Sequence, residues 1–474
     1  MSGMNKGFDV AVIGAGSVGI AVAEALVRAR PARSGAAAEG ATAVEAAAEG
    51  AGVRAPLKVV LIDALTPMSL TSAASGENYR NWWPHEAMVA FMNRSTDLLE
   101  AWAAREHNRL SLTRRGYLLA TRADDIDTLL AELRATGSAP ENRAYVPPDA
   151  SDNWQDAPAG IDLLSDPDRI RRHFPSLDPA VKHLVHIRRG GEFSAQQLAA
   201  MMLEDFRAAG GQLQKARVVE VAKRENGFRL ELVDGDGNTE SLEAGRMVNA
   251  AGPWINDIAA MLGETLPVRN ILQQKLAFED RRGAIPRRLP FTIDLDAQHI
   301  NWSEEERELL AEVPELAFLA EAMPGSIHCR PDGGPSGRWI RLGWAYNRSP
   351  CAAVEAAPEL DDHFPEVVLR GASRLHPALA QYEGRLPAAR RHYGGYYTLT
   401  EENWPLVGPM KTAGAFVAGA FSGFGSMAAC AAGELAAQWV RGDPLPPWGK
   451  LFSLERYDDS ALMASLRDAN RGIL

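Results

Sequence analysis

The sequence predicts an α/β protein of two domains, and three observations carry that prediction. The first is the stretch from Asp9 to Leu26, DVAVIGAGSVGIAVAEAL. Val10 to Ile13 form a short apolar run of the kind buried on both faces of a sheet. Gly14, Gly16 and Gly19 follow in G-x-G-x-x-G spacing, and an Ala- and Leu-rich helical stretch follows them. The second observation is that two later strand candidates also end in glycine. Met247-Val-Asn-Ala-Ala-Gly-Pro-Trp254 is one, and Ala415–Ala418 running into Gly419, Gly423 and Gly425 is the other. The third is length, since 474 residues exceed one ordinary domain. Together they point to a Rossmann-type dinucleotide-binding domain joined to a second domain with a mixed or antiparallel sheet.

Each glycine of the first stretch has a physical task. Gly14 turns the chain sharply off the strand. Gly16 lets a pyrophosphate approach the backbone, and Gly19 lets the helix pack on the sheet. The helix N-terminus then offers free N–H groups and partial positive charge to phosphate. Residues 30–56 are rich in Ala, Gly and Glu and poor in large apolar residues, so a solvent-exposed insertion is expected. The next strand, Lys58 to Ile62, ends at Asp63, the position from which an acid binds ribose hydroxyls. The interval from the glycines is about twice the usual ~20 residues, and the insertion accounts for the excess.

Composition excludes several classes. A net charge of −11 disfavours nucleic acid as a partner. Cys329, Cys351 and Cys430 are far apart and odd in number, so neither a disulfide framework nor a metal site is indicated. No apolar signal core precedes the first strand, and no run approaches the ~18 apolar residues of a membrane span. A cytoplasmic protein is expected.

The rest of the chain reads in order. Thr71 to Pro84 is a loop dense in hydrogen-bonding groups, carrying Arg80, Trp82 and Trp83. Helices are expected over 86–107, 124–136 and 193–209, the last with Ser194 as N-cap. A strand is expected over 116–121 and a long loop over 137–160. Strands are expected over 214–222, 228–234 and 239–243, with Asp234-Gly-Asp-Gly-Asn238 as a hairpin turn. Strand-like runs recur at 275–278, 291–294 and 339–346. Between the last two, Ser303 to Ala322 reads as a helix with acidic residues at its start. Residues 426–441 read as a small-residue helix.

Three glycine-bearing strand ends are more than a nicotinamide site needs. The pattern resembles the D-amino-acid oxidase, glycine oxidase and sarcosine oxidase family of FAD-dependent oxidoreductases, with its glutathione-reductase-like fold. Residues 9–26 with Asp63 resemble that family's ADP-binding segment, and 248–254 its second FAD contact. Thr400-Glu-Glu-Asn-Trp-Pro-Leu-Val-Gly408 is similar to its loop beside the flavin, and 419–436 to its closing helix, whose N-terminus faces the flavin. The resemblance implies a discontinuous FAD domain over 7–95, 160–265 and 390–474, with a substrate domain over 96–159 and 266–389. It implies FAD contacts at Gly14, Gly16, Ser17, Val18, Gly19, Asp63 and Ala64. Ser75, Gly76, Val218, Val219, Ala250, Ala251, Gly252 and Trp254 are expected to join them. Gly408, Gly423, Phe424, Gly425, Ser426 and Met427 complete the set. Members that attach the flavin covalently do so through a His or Cys. The loop where such members place the His reads SAASGENYR here, with no His before His85, and the one where they place the Cys reads HYGGYYTL, with no Cys, so non-covalent FAD is expected.

The resemblance implies oxidation of a C–N bond in an amine or amino acid. Arg80 is a candidate carboxylate anchor, with a surface or phosphate contact as its alternative. Arg330 is a second candidate anchor and His328 an orienting group, with buried structural pairing as the alternative. Lys275 is a candidate for an oxygen-activating or substrate role. Of Tyr396 and Tyr397, one should point inward if they lie on a strand, and Tyr397 is taken as the site residue. Trp82 and Trp83 read as core or as an apolar wall, and Met427 and Cys430 suit helix packing. Two other readings stay open. A flavin monooxygenase using NAD(P)H would carry a G-D-A-A-H type motif where this chain has GAFSGFGSM. A flavin-binding subunit or assembly factor could use the insertion or the acidic 303–322 segment to meet a subunit or electron-acceptor partner.

Overall fold

The computed structural model describes residues 7–28, 56–148, 154–334, 336–355 and 357–468. The Ala-rich insertion therefore lies, but for residue 56, outside the described residues. Two eight-stranded sheets organise the chain.

The first sheet is centred on Gly7–Ile13. Val59–Asp63 and Thr239–Asn249 lie parallel to it on either side. Gln212–Lys215 extends the sheet beyond the former, and Ala415–Gly419 beyond the latter, both parallel, with Leu406–Pro409 antiparallel at that edge. The period of two along Gly7–Ile13 divides its side chains between two cores. Val10 and Val12 pack with the helices Ser17–Val27, Glu86–Ala104, Ala195–Ala208 and Gly425–Arg441. Ala11 and Ile13 pack toward Val218, Phe228 and Leu230 of an antiparallel meander. Thr239–Asn249 serves both layers. Its first half pairs antiparallel with Gly227–Val233, and its second half pairs parallel with the first strand.

The second sheet runs in the order Arg390–Leu399, Arg269–Glu279, Trp339–Gly343, Ile327–Asp332, Phe291–Asp294, Tyr117–Thr121, His183–Ile187, Ile161–Leu164. Helix Phe364–Leu375 covers one face through Val367, Val368 and Leu375, which pack with Leu276, Phe278, Ile327 and Leu342. The opposite face turns toward the first sheet. Among the described residues no helix is long and apolar enough to cross a membrane.

Most elements lie where the pattern placed them, and Ser194 caps its helix by accepting from the Gln197 amide at 3.3 Å. The differences have local causes. The strand expected over 214–222 is two strands, Gln212–Lys215 and Arg217–Arg224, because the chain changes partners at Ala216, whose N–H donates to the Asp63 carbonyl at 2.9 Å. The helix expected over 303–322 runs only over Glu304–Glu312, with Ser303 and Glu306 as a capping box. Pro314 then prevents continuation, and a 3₁₀ turn follows at Ala317–Ala320. The run expected over 339–346 ends at Gly343, where Trp344 turns its indole N–H to the Pro324 carbonyl at 3.0 Å. The second sheet also takes in 161–164, 183–187 and 390–399, which the expected boundaries gave to the FAD domain.

The 400–408 loop carries a buried ion pair and does not line the cavity described below. Glu402 and Arg456 have fully buried side chains and form an ion pair. The Tyr457 hydroxyl also donates to Glu402 at 2.9 Å, and Arg456 reaches the Trp404 and Pro405 carbonyls at 3.1 and 2.8 Å. The loop thus anchors the turn Leu454–Asp458. Glu402→Gln leaves a buried guanidinium uncompensated. Chemical denaturation should show a loss of about 3–5 kcal/mol.

Candidate active site

The parallel strands of the first sheet all end on one side, and the residues just beyond them meet. The Gly14 amide donates to the Ile62 carbonyl at 2.8 Å, and the Ala250 amide donates to the Ile13 carbonyl at 2.8 Å. At Gly14 φ is +106°, and a Cβ there would stand 2.3 Å from the Ala250 carbonyl oxygen. At Gly19 a Cβ would collide with the Gly14 carbonyl. Both positions require glycine, for backbone direction at the first and for helix-on-strand contact at the second.

Between these strand ends and the second sheet lies a cavity of about 480 Å³. Two helices point their N-termini into it. Ser17–Val27 starts from Gly16 and Gly425–Arg441 from Phe424, and neither has a side-chain cap. Their N-terminal amides supply partial positive charge. Three hydroxyls gather between them. Ser17 Oγ lies 3.2 Å from Ser72 Oγ and 3.1 Å from Ser426 Oγ, and the Ser17 amide donates to Ser72 Oγ at 3.1 Å. Opposite, Asp63 closes its strand and accepts from the amides of Ala15 at 2.6 Å and Leu65 at 2.8 Å. Burial pushes its carboxyl above the usual range, against the pull of those two hydrogen bonds. A glycine cradle, two uncapped helix ends and a strand-end acid form a donor set that fits a dinucleotide.

The sequence segments 14–19, 63–64, 75–76, 218–219, 250–254, 423 and 425–426 line this one cavity. Gly408, Phe424 and Met427 do not. The space above Gly408 is filled by Ser453, 2.6 Å from its Cβ position. Phe424 is buried against Trp83 with ring centroids 4.7 Å apart. Met427 packs on the helical core, and its carbonyl accepts from Ser95 Oγ at 2.6 Å.

The second sheet supplies the far wall. Alternation on Arg269–Glu279 and Arg390–Leu399 places Lys275 and Tyr397 on the cavity side. The Tyr397 ring lies 2.5 Å from where Gly423 would carry a Cβ, so the strand touches the loop that leads into the closing helix. Burial pushes its hydroxyl up to about 12. Lys275 is buried, with its Nζ donating to the Ala74 carbonyl at 3.0 Å and lying 5.7 Å from the Tyr397 ring centre. Burial, with Arg341 nearby, lowers its ammonium to about 8.

The other three candidates stand outside the cavity wall. Arg330 donates to Glu192 at 2.6 Å and to the Gly76 carbonyl at 3.0 Å, and pairs with Asp332 at 3.1 Å. This is the structural pairing weighed against an anchor role. His328 donates from Nδ1 to the Ser326 carbonyl at 3.1 Å and packs on Phe291. Burial lowers it to about 4, so the ring is neutral. Arg80 is buried over Trp83 and Tyr117, at 4.5 and 5.6 Å from their ring centres, and burial lowers it to about 10. Trp82 and Trp83 are core. Sequence reasoning missed Ser72 and Arg341. Ser72 sits in a loop noted only for its polarity. Arg341 had one signal, an arginine in the middle of the apolar strand Trp339–Gly343.

A nucleotide-type cradle on a Rossmann-type sheet, closed by a second sheet that carries cationic and aromatic side chains, defines a dinucleotide-dependent enzyme of two layers. The chain belongs to the FAD dependent oxidoreductase (DAO) family, whose model matches residues 9–439. It is an FAD-dependent oxidoreductase. Glycine oxidase from Geobacillus kaustophilus is similar in fold, with a TM-score of 0.67 at 17% identity over 96% of this chain and 99% of that one. L-Proline dehydrogenase from P. horikoshii gives a TM-score of 0.68 at 19% identity, over 96% and 99%. L-Amino acid deaminase from Proteus myxofaciens gives 0.65 at 13% identity, over 96% and 95%. No curated protein matches the sequence.

Gly14→Ala tests the cradle. The strain of a Cβ at positive φ, of order 1–3 kcal/mol, adds to the clash with Ala250. The purified variant should carry markedly less FAD per chain than wild type, read from flavin absorbance against protein content.

Proposed function

We propose that this enzyme oxidises a C–N bond of a small amine or amino acid, with FAD held non-covalently. The observation that carries the reading is the pairing of a dinucleotide cradle with Lys275 and Tyr397 on the facing wall of one cavity. The solved structures with this fold named above, an oxidase, a dehydrogenase and a deaminase of amino acids, agree with it. Bound FAD supplies the acceptor for the hydride that leaves the carbon beside nitrogen. The resulting imine is hydrolysed by water.

The chain's own residues bind and orient. The first helix and the Ser17, Ser72 and Ser426 hydroxyls hold the phosphates, and Asp63 holds ribose. The N-terminus of Gly425–Arg441 offers partial positive charge where negative charge grows on reduction. Lys275 has donors left beyond its single bond to Ala74, and it receives the substrate carboxylate or the reduced oxygen species. Tyr397 forms the apolar wall beside it. Among the described residues that line the cavity none is His or Cys, which supports non-covalent attachment. The protein acts in the cytoplasm.

The decisive experiment is an anaerobic panel of amines and of D- and L-amino acids with the holoenzyme. One member should bleach the flavin, and admission of air then separates an oxidase from a dehydrogenase. Failure of every member would defeat the reading. Lys275 also predicts a pH dependence. Its charge is present below about 8 and is lost as pH rises through that value. Turnover of a carboxylate substrate should fall across that window in wild type. In Lys275→Met it should already be low below the window, with no fall across it.

A further inference from the structure

Three consecutive carbonyls of the loop that follows the second strand point at three cations of the other sheet. Ala74 O accepts from Lys275 Nζ at 3.0 Å. Ser75 O accepts from Arg341 Nη1 at 3.0 Å. Gly76 O accepts from Arg341 Nη1 at 2.9 Å and from Arg330 Nη2 at 3.0 Å. Ala74, Ser75 and Gly76 line the cavity, whereas Arg330 and Arg341 do not.

The arrangement is costly in isolation. Strand register sets Arg330 directly opposite Arg341, two like charges on a largely buried face. Asp332 lies between them, 3.1 Å from Arg330 and 3.0 Å from Arg341, and Glu192 takes a second bond from Arg330 at 2.6 Å. Two acids and two arginines are thus spent on fixing the direction of two peptide groups. A trans peptide sends its N–H opposite to its carbonyl, so the Gly76 N–H is turned away from Arg341. The amides on either side are already engaged. The Ser75 N–H donates to the Ser72 carbonyl at 3.3 Å and the Glu77 N–H to Ser75 Oγ at 3.0 Å. The loop belongs to the nucleotide-binding sheet, yet its peptide orientation is dictated by the other one.

We propose that Arg341, braced by Asp332 and Arg330, is a positioning residue that orients the Ser75–Gly76 peptides in the cavity wall and thereby sets the reduction potential of the bound flavin. A fixed peptide dipole stabilises negative charge at no reorganisation cost, and a loosened one does not. The inference rests on FAD occupying this cavity but not on the substrate proposed above.

The test is the flavin reduction potential of the holoenzyme, measured by anaerobic dye-coupled reduction without substrate, so it stands whether or not the amine panel succeeds. Arg341→Gln should shift the potential to more negative values, and Arg341→Lys should restore part of the shift. Asp332→Asn separates positioning from charge. A through-space effect of charge would move Asp332→Asn to more positive values, opposite to Arg341→Gln. Loss of positioning moves both to more negative values. A wild-type potential in Arg341→Gln, even with a lowered melting temperature, overturns the proposal, as does a positive shift in Asp332→Asn. Should Arg341→Gln fail to retain FAD, Asp332→Asn decides alone. A negative shift there supports the proposal, and no shift overturns it.

Discussion

The contact between Gly14 and the Ala250 backbone is the constraint on which the rest depends. It brings the ends of two parallel strands close enough that no side chain can stand between them. The first helix must then start immediately, at Ser17, with its amides facing the space beyond the strands. The closing helix arrives at the same space from far along the chain, and Ser17 meets Ser426 at 3.1 Å. Neither helix is capped by its own side chains, so their polarity is left for whatever occupies the cavity. A side-chain cap at either end would satisfy those amides and take their polarity away from the cavity.

The second sheet answers this cradle with charge. Lys275, Arg330 and Arg341 all face the first sheet, and their acids, Glu192 and Asp332, lie on the same side. Arg115 joins the cluster through Glu192. Such groups lose hydration on burial and are retained only where partners replace it. Here the partners include main-chain carbonyls of the nucleotide domain. The two sheets are therefore joined by polar contacts with defined direction, as well as by the apolar contact of Tyr397 with Gly423.

Much of this was legible in the sequence, for reasons that differ by segment. The glycine spacing at 14–19 and the strand ends at 63, 250 and 419 could be read because backbone geometry restricts residue choice there. The closing helix could be read from its composition. The second sheet was harder. Its strands at 161–164, 183–187 and 390–399 are short or interrupted by polar residues, and what they pair with lies far away in sequence. The acidic 400–408 loop resembles a cofactor loop, yet Glu402 serves a buried arginine that no local pattern announces. Arg341 shows the same limit from the other side. A charged residue in an apolar strand signals a partner, but nothing nearby says that the partner is a run of carbonyls some 265 residues earlier.

The closing helix has a consequence during synthesis. Its N-terminus completes a cavity whose other walls come from residues 13–19, 62–76, 216–219, 250–254 and 395–398. A chain emerges from the ribosome at roughly 5–20 residues per second. For some twenty seconds or more, the glycine cradle is exposed without the helix end that faces it. The nascent chain can collapse and pair its early strands in that interval, but the cavity stays open on the side of the closing helix. A chain cut short before Gly425 lacks the helix end that closes this side of the cavity.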